Sequence, residues 1–442
     1  MTDPAVAKLQ ALVRIPTVSD RDPERVDSTA FDALLVELRT QFPLLHERLD
    51  LTRIGSHGLL FHWAGAASTE HVVLMAHLDV VPVDESAPWR HPPFSAEIHE
   101  GAVWGRGTLD DKGSFAAICE AVERLLADGH RPAQDVWLSF GCDEEVSGTS
   151  AEAAVAELVR RGVRPWFVLD EGGAVAHDAF PGVSRPVAAI GVAEKGTTSV
   201  ELRVDGRGGH ASTPAPNGPT VRLARAITRI DRHPMPAHLP ETTIEMLHRL
   251  SPHLPRPLRP VLDRADRVRP LLTRALSLAG PETAAMARTT FAVTTLQGSP
   301  ALNVIATSAT AGINVRVLPG DSVADVLAHL ERVIADDAVQ VTVVERGEAS
   351  PVSPTDEAFE LIVSLVGELF ADAVAVPYIQ TGATDSRHFT AICDRVYRFA
   401  PLRISKEQRL ALHSYDEHLD VDAFLTGIDW YRRLLESLPD GH

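Results

Sequence analysis

Apolar runs that end in polar residues alternate with amphipathic stretches over the first part of the chain. In the clearest case, the apolar run that begins at Val72 carries His77 and Asp79 near its end and is stopped by Pro82. This pattern predicts a buried strand with polar chemistry at its carboxyl end. Residues i and i+2 of a strand point to the same face, so His77 and Asp79 are expected side by side. The same criteria predict strands at 49–54, 58–63, 135–140 and 166–169 and helices at 5–13, 28–41, 112–127 and 150–161.

Strands that alternate with helices predict an α/β layer with a central, mostly parallel sheet, whose ligands bind beyond the carboxyl ends of the strands. Near Glu194 the pattern changes to half-exposed strands in the order β-α-β-β-α-β, the order of a ferredoxin-like α+β unit. Its predicted strands are 198–204, 291–297, 309–318 and 339–344, and its predicted helices are 219–230 and 322–335. The first pattern resumes with helices at 357–370 and 422–435. We therefore expect two domains, 1–194 joined with 351–442, and an inserted 195–350 that contains a helical excursion at about 232–288.

The bulk composition agrees with two domains and narrows the classes of partner. The 442 residues are too many for one ordinary core, and 45% hydrophobic with 23% charged residues is typical of a soluble globular protein. The formal net charge of −18 argues against a nucleic-acid partner or an anionic membrane surface, and no apolar run is long enough to span a bilayer. Three scattered cysteines and an N-terminus without a signal-peptide pattern lead us to expect a reducing compartment, the cytoplasm, and no disulfide framework.

Carboxylates and imidazoles accumulate where the predicted strands end. The set comprises His77, Asp110, Glu145, Asp170 and a histidine late in the chain. Imidazole and carboxylate ligands without a usable cysteine fit zinc or a similar first-row ion. Two such ions a few ångströms apart need one bridging carboxylate. Adjacent residues at a strand end face different ways, so one of Glu144 and Glu145 can bind metal while the other takes a proton.

Four motifs carry a resemblance to a known family: His77-Leu78-Asp79, Gly105 to Gly113, Asp143-Glu144-Glu145 and Gly208-Gly209-His210-Ala211-Ser212. With these motifs, nearly the whole chain resembles the M20 family of metallopeptidases, which includes glutamate carboxypeptidases, aminoacylases, succinyl-diaminopimelate desuccinylases and dipeptidases. Residues 169–173 and 192–196 are most similar to the branch that holds yeast carboxypeptidase S and the secreted N-acyl-amino-acid hydrolases. The resemblance implies a zinc-peptidase-like catalytic domain and an inserted lid and dimerisation domain.

The resemblance also implies two divalent metal ions, zinc or alternatively cobalt or manganese, and a role for each residue of the site. Asp79 orients His77, and Glu144 is the general base that takes a proton from water and later passes it to the leaving amine. The Asp110–Asp111 peptide bond is expected to be cis. The implied ligands are His77 and Asp170 on one ion, Glu145 and His413 on the other, and Asp110 bridging both. Glu171 is an alternative to Asp170, and His388 and His418 are alternatives to the preferred His413.

Further implied residues bind the substrate. His210 polarises the scissile carbonyl in the active site of a neighbouring subunit, which implies a homodimer through the lid. Asn303 and Arg316 hold the terminal carboxylate of the substrate, a task that suits the two parallel bonds of a guanidinium. Gly382 brings backbone N–H groups close to the same carboxylate.

These observations together predict a co-catalytic zinc hydrolase that cleaves a peptide or N-acyl amide bond next to a residue with a free α-carboxylate. Its substrate is then a small peptide or an N-acyl amino acid. One alternative is an N-acyl-amino-acid hydrolase or synthase with the same metal site, and another is a binding module without catalysis, which the intact Glu144 argues against. A serine hydrolase is disfavoured because the chain has no Gly-x-Ser-x-Gly motif. The turn at Gly105 is too short for a nucleotide fingerprint and leads into carboxylates that would repel phosphate.

Overall fold

The computed structural model describes residues 3–180 and 182–440. Its helices are α1 (Pro4–Val13), α2 (Ser28–Gln41), α3 (Pro43–Arg48), α4 (Lys112–Ala127), α5 (Ser150–Arg160), α6 (Pro219–Arg232), α7 (Glu241–Leu250), α8 (Arg259–Leu262), α9 (Arg269–Ala279), α10 (Pro281–Ala285), α11 (Val323–Ile334), α12 (Glu357–Leu369), α13 (Lys406–Ala411) and α14 (Val421–Glu436). Within the described residues, no helix combines the length and the apolar character needed to cross a bilayer.

The strands are β1 (Asp50–Ile54), β2 (Gly58–Trp63), β3 (Ala67–His77), β4 (Glu97–His99), β5 (Ala102–Trp104), β6 (Gln134–Gly141), β7 (Pro165–Asp170), β8 (Val175–Ala176), β9 (Val187–Glu194), β10 (Gly196–Asp205), β11 (Gly209–His210), β12 (Thr290–Gln297), β13 (Val304–Ile305), β14 (Ser308–Val317), β15 (Val339–Glu345), β16 (Val374–Gln380), β17 (Val396–Arg398), β18 (Arg403–Ile404) and β19 (His418–Asp420). Most predicted elements occur within two residues of their expected bounds. The largest difference concerns β3, which ends at His77, so that Asp79 lies in the segment after the strand.

The large sheet has the strand order β1-β2-β6-β3-β7-β17-β9-β8-β18, with β16 also paired to β9. Its centre is parallel, because β3 pairs in parallel with β6 and β7, and β7 pairs in parallel with β17. The pairs β1–β2, β2–β6 and β8–β9 are antiparallel. The protein is therefore a mixed α/β fold, and its sheet is mixed where the sequence predicted a mostly parallel one.

The second half of β3, from Val72 to His77, is buried on both faces, which explains the unbroken apolar run that begins at Val72. Val72, Leu74 and Ala76 belong to the large apolar core that also contains α4, while Val73 and Met75 pack into a second cluster on the opposite face, together with α5. Since both faces are packed, the carboxyl end of β3 is held firmly. His77 stands at this end.

A second, four-stranded sheet has the order β12-β14-β10-β15, and its pairs are all antiparallel. Val200, Leu202 and Val204 alternate along β10 and point into an apolar cluster that α6 and α11 cover. With its two helices, the sheet shows the β-α-β-β-α-β element order that the sequence predicts.

The excursion between α6 and β12 is helical and packs against the large sheet. Leu239, Ile244 and Leu247 share an apolar cluster with Val374 and Val376 of β16. Helix α7 therefore contacts β16 directly, so the excursion connects the four-stranded unit to the large sheet.

Candidate metal centre and active site

His77 is buried between two aspartates at the end of β3. Its Nε2 lies 2.9 Å from Asp110 Oδ1, and its Nδ1 lies 3.0 Å from the backbone carbonyl oxygen of Asp79 and 3.4 Å from Asp79 Oδ1. When Nδ1–H donates to the Asp79 oxygens, the tautomer is fixed and Nε2 remains as the nitrogen that faces Asp110. Asp79 thus lies behind the imidazole, on the side away from Asp110.

Asp79 also holds the turn that follows β6. Its carboxylate accepts hydrogen bonds from the backbone N–H of Glu144 at 3.2 Å and of Glu145 at 3.1 Å, and from the Ser19 hydroxyl at 2.7 Å. Burial opposes the ionisation of Asp79, but the hydrogen bonds from His77, Ser19 and Glu145 outweigh it and lower the Asp79 pKa. One ionised carboxylate therefore orients both an imidazole and the two glutamates.

Asp110 lies where three chain segments meet. Its Oδ1 faces His77, and its Oδ2 lies 3.0 Å from His413 Nε2. The same His413 nitrogen lies 3.2 Å from Glu145 Oε2. The peptide bond between Asp110 and Asp111 is cis, as the family resemblance implies. Asp110 is thus in contact with both imidazoles, the position that a bridging carboxylate would need.

The donor set fits a divalent cation. One ligand atom each of His77, Asp110 and Glu145 lie within 4.8 Å of one another. Glu145 Oε1 is buried without a hydrogen-bond partner among the described residues, and such an atom is costly to bury unless something binds it. Imidazole nitrogens and carboxylate oxygens are the ligands that zinc and similar ions take in proteins.

Burial and the neighbouring charges shift the pKa values of the imidazoles and carboxylates in the site. Burial disfavours a charged His77 ring, but hydrogen bonds to Asp110 and Asp79 outweigh it and raise the His77 pKa well above its usual value. Hydrogen bonds to Asp110 and Glu145 raise the pKa of His413 to about 10. Burial raises the pKa of Glu144 well above its usual value, and the nearby acids Asp385, Asp110 and Glu145 add to this effect. A cation at the same oxygens would replace the protons on both imidazoles.

Of the three late histidines, His413 is the one that reaches these carboxylates. The ring of His388 lies 3.4 Å from Glu152, and the ring of His418 stacks on Trp104 with 4.2 Å between ring centroids. Neither of these two rings has a described contact with Asp110.

Asp170 is close to the site but outside the three-residue group. Its oxygens accept hydrogen bonds from the backbone N–H of Glu171 and of Ser386, each at 2.9 Å. Burial raises the pKa of Glu171 well above its usual value, and the negative charge of Asp110 is the next largest cause. Asp170 and Glu171 therefore both remain candidate ligands.

The residues expected to bind substrate lie on or near the four-stranded unit, apart from Gly382. His210 is exposed on β11, with Nδ1 2.7 Å from the Ser212 hydroxyl, and Asn303 is exposed before β13. Arg316 on β14 is half-buried and donates to Asn314 at 3.1 Å and to Thr197 at 2.7 Å. Gly382 is exposed in the loop after β16. No described contact joins these residues to the metal ligands.

Two buried features of the site were not predicted from the sequence. The first is the ion pair of Arg106 and Glu417, whose side chains are 3% and 0% exposed and 2.6 Å apart. Glu417 Oε1 accepts from the backbone N–H of Leu109 at 2.8 Å and of Asp110 at 3.2 Å, and Arg106 donates to the Ser414 carbonyl oxygen at 2.7 Å. The pair therefore joins the Asp110 loop to the segment that carries His413.

The second feature is Asp385, a buried aspartate close to the proposed metal ligands. Burial raises its pKa to about 8, and the charge of Asp170 contributes. A β-carbon at Gly141 would lie 2.6 Å from Asp385 Oδ2, so a larger residue at the end of β6 would require this carboxylate to move. The available sequence signal was its place in the polar loop 381–389, next to Gly382.

Imidazoles and carboxylates gathered near the carboxyl ends of the strands of an α/β sheet are suited to metal-assisted hydrolysis. Residues 73–437 match the sequence model of peptidase family M20/M25/M40. The chain belongs to this family and is a hydrolase.

Similar proteins cover almost the whole chain. A probable carboxypeptidase S-like 2 of Dictyostelium discoideum is 35% identical over 406 residues, which are 90% of this chain and 78% of that protein. The human N-fatty-acyl-amino acid synthase/hydrolase is 34% identical over 437 residues, 97% of this chain and 86% of that protein.

Two solved structures share the fold. An M20 family metallo-carboxypeptidase from Sulfolobus solfataricus superposes with a TM-score of 0.73 at 19% identity and covers 99% of both chains. A dinuclear metal-binding peptidase of the M20 family from Bacillus subtilis superposes with a TM-score of 0.59 at 14% identity, and covers 98% of this chain and 96% of that chain.

Proposed function

We propose that this hydrolase uses two divalent metal ions, zinc in the first place, to cleave a peptide or N-acyl amide bond next to a residue with a free α-carboxylate. The observation that carries the proposal is the contact of Asp110 with both His77 and His413, beside Glu144 and Glu145. The similarity to a probable carboxypeptidase S-like protein and to an N-fatty-acyl-amino acid synthase/hydrolase supports the same substrate class.

In this proposal each ligand has a fixed place. His77 and Asp170, or Glu171 in its stead, would hold one ion, Glu145 and His413 would hold the other, and Asp110 would contribute to both. Bound ions would lower the pKa of water and polarise the scissile carbonyl. Cobalt and manganese accept the same oxygen and nitrogen ligands and are the alternatives to zinc.

Glu144 is the proposed general base. Its backbone N–H donates to Asp79, and burial raises the pKa of its carboxyl group, with the charges of Asp385, Asp110 and Glu145 adding to this effect. A raised pKa suits a carboxylate that takes a proton from water and later gives it to the leaving amine. Asp79 acts through His77 and the two backbone N–H groups, without touching the substrate.

Arg316 is the proposed partner of the substrate carboxylate, assisted by Asn303 and by the backbone at Gly382. Its guanidinium is half-buried and bonds to the neutral oxygens of Asn314 and Thr197, and it forms no ion pair with a described carboxylate. A half-buried guanidinium without an ion-pair partner among the described residues is available for the substrate, and two parallel charge-assisted bonds would select a free carboxylate.

We further propose that residues 195–350 form a lid and dimerisation domain inserted into a catalytic domain of 1–194 and 351–442. The separate apolar core of the four-stranded unit supports this division. His210 is then the residue that a homodimer partner would place over the scissile carbonyl, and its exposure is compatible with that role. A cytoplasmic location also stays a proposal, supported by three buried cysteines without a disulfide.

The similarity to the human N-fatty-acyl-amino acid synthase/hydrolase, which extends over 97% of this chain, favours an N-acyl-amino-acid hydrolase as the second candidate. Its metal site would be the same as that of a peptidase, and only the preferred substrate would differ.

The deciding experiment is a screen of dipeptides and N-acyl amino acids with purified protein and added Zn²⁺, Co²⁺ or Mn²⁺. We expect turnover of at least one class, and a loss of about 10²–10⁴-fold in kcat for Glu144→Gln with metal content unchanged. A preference for acylated over peptide substrates would select the second candidate. Binding of metal and substrate without turnover in any combination would instead identify a non-catalytic module.

A further inference from the structure

The segment after α1 passes next to the carboxyl end of β3. Thr17 and Ser19 are buried there, although they belong to the part of the chain farthest in sequence from His413. The Thr17 hydroxyl donates to the Leu78 carbonyl oxygen at 2.6 Å, and the backbone N–H of Val80 donates to the Thr17 carbonyl oxygen at 2.9 Å. We call residues 12–19, which are the end of α1 and the segment that follows it, the N-terminal strap.

The strap is tied to a second element of the metal centre. Lys112, which follows the Asp110–Asp111 peptide, is fully buried, and its ammonium donates to the carbonyl oxygens of Leu12 at 3.1 Å and Ile15 at 2.5 Å. The strap therefore contacts both the β3 end and the start of α4. His77 is the last residue of β3, and Asp110 lies two residues before α4.

One side chain of the strap reaches the centre itself. Ser19 donates its hydroxyl to Asp79 Oδ2 at 2.7 Å, the shortest of the hydrogen bonds to this carboxylate. The other donors to Asp79 are the backbone N–H groups of Glu144 and Glu145 and, across 3.4 Å, the ring of His77. Without the hydroxyl, Asp79 Oδ2 would keep a single donor at 3.1 Å, and the carboxylate would be freer to rotate.

We propose that Ser19 is a positioning residue of the metal centre, because it fixes the Asp79 carboxylate and through it the His77 ring and the turn of Glu144 and Glu145. The inference rests on the proposed metal site. Ser19 touches neither a metal ligand nor the substrate, so its effect should appear in metal affinity even when no substrate is present. Outer hydrogen-bond partners of metal ligands typically contribute about 10–100-fold to metal affinity.

The strap offers a matched control. Thr17 is equally buried and its hydroxyl also makes one short hydrogen bond, but its acceptor is the Leu78 carbonyl oxygen and not Asp79. Thr17→Val therefore removes a strap hydroxyl without touching the carboxylate, whereas Ser19→Ala removes the contact with Asp79. Ser19→Thr keeps a hydroxyl at the position and is the conservative variant.

The experiment measures the affinity of the metal-free protein for Zn²⁺ by competition with a chromophoric chelator, together with the thermal unfolding of each metal-free variant. We expect Ser19→Ala to lose about 10–100-fold in affinity for at least one ion. Ser19→Thr should recover most of this loss, and Thr17→Val should keep the wild-type affinity even if its unfolding temperature falls. Should Ser19→Ala not fold, Ser19→Cys keeps the volume but offers a weaker donor, and it should lose affinity in the same direction.

Two results would overturn the inference alone: wild-type affinity in Ser19→Ala (in Ser19→Cys, should Ser19→Ala not fold), or an equal loss of affinity in Thr17→Val. The second result would mean that the strap supports the fold in general and not Asp79 in particular. A wild-type protein that binds no divalent ion would overturn the proposed metal site itself, and this inference with it.

Discussion

The buried pair of Arg106 and Glu417 gives the sharpest test of how the site is held together. We consider Arg106→Met, which keeps the length and apolar contacts of the side chain and removes its charge. Glu417 would remain fully buried, with backbone N–H donors from Leu109 and Asp110 but without a cation. Breaking a buried ion pair by removing one partner costs about 3–5 kcal/mol, because the remaining charge is uncompensated.

The chain contains a matched surface pair for comparison. Arg160 and Glu157 are also 2.6 Å apart, but their side chains are 69% and 16% exposed. Solvent screens such a pair, so Arg160→Met should cost less than about 1 kcal/mol. The two variants make the same chemical change at the same distance but differ in burial, and Glu157 also keeps a second cation, Arg161, at 2.6 Å.

The expected loss also depends on pH. Burial raises the pKa of Glu417, and Arg106 is the largest opposing influence, so Arg106→Met should raise this pKa further. A carboxyl group with a raised pKa in the folded state binds more protons there than in the unfolded chain, and stability then falls as pH rises through that interval. The deficit of Arg106→Met should therefore be larger at pH 8 than near pH 5, where Glu417 can be protonated in the folded variant.

The assay is urea unfolding of the metal-free variants, followed by tryptophan fluorescence at both pH values. Metal affinity is measured on the same samples, since the pair links the Asp110 loop to the His413 segment. Adding Glu417→Gln to Arg106→Met should recover part of the lost stability, because the buried charge is gone while an acceptor oxygen remains. If Arg106→Met is as stable as Arg160→Met at pH 8, the pair does not stabilise the site as described.

Three further predictions concern the proposed roles. Glu145→Gln should lower the divalent metal content measured by elemental analysis, and full occupancy would contradict its role as a ligand. Arg316→Ala should weaken substrates with a free C-terminus by roughly 2–5 kcal/mol and leave amidated ones unaffected, as measured by kcat/KM; equal discrimination in mutant and wild type would exclude it as the carboxylate partner. Mixing inactive Glu144→Gln with His210→Ala, which should itself lose about 10²–10³ in kcat, should partly restore activity if His210 acts across a dimer. Confirmed subunit exchange without recovery would exclude that arrangement.

The sequence predicted well what depends on local pattern. The apolar run that begins at Val72 and the alternation of Val200, Leu202 and Val204 each indicate burial on a strand, and both strands occur, although β3 ends at His77, before Asp79. Motifs with several fixed residues likewise indicated the family, which the comparisons confirm. Periodicity and motif spacing are properties of neighbouring residues, so a single sequence contains them.

What the sequence did not predict depends on contacts between distant segments. Ser19 and Asp79 are 60 positions apart in the sequence, and Arg106 and Glu417 are 311 apart. No local sequence pattern can therefore predict either of these hydrogen bonds. The mixed character of the sheet has the same origin, since β2 runs antiparallel to β6 without any mark in its composition. The choice between Asp170 and Glu171 depends on a bound ion as much as on the chain.

The place of β17 has a consequence for synthesis of the protein on the ribosome. This strand, Val396–Arg398, lies between β7 and β9, although both of its neighbours are complete by residue 194. The large sheet therefore remains incomplete between β7 and β9 while the whole four-stranded unit, Gly196–Glu345, is synthesised and can pair its own strands. Exposed strand edges are prone to wrong pairing, so the growing chain is most vulnerable to aggregation during this interval. The late segment that inserts β17 into the large sheet also contains His413, so the sheet and the proposed metal site are completed by the same part of the chain.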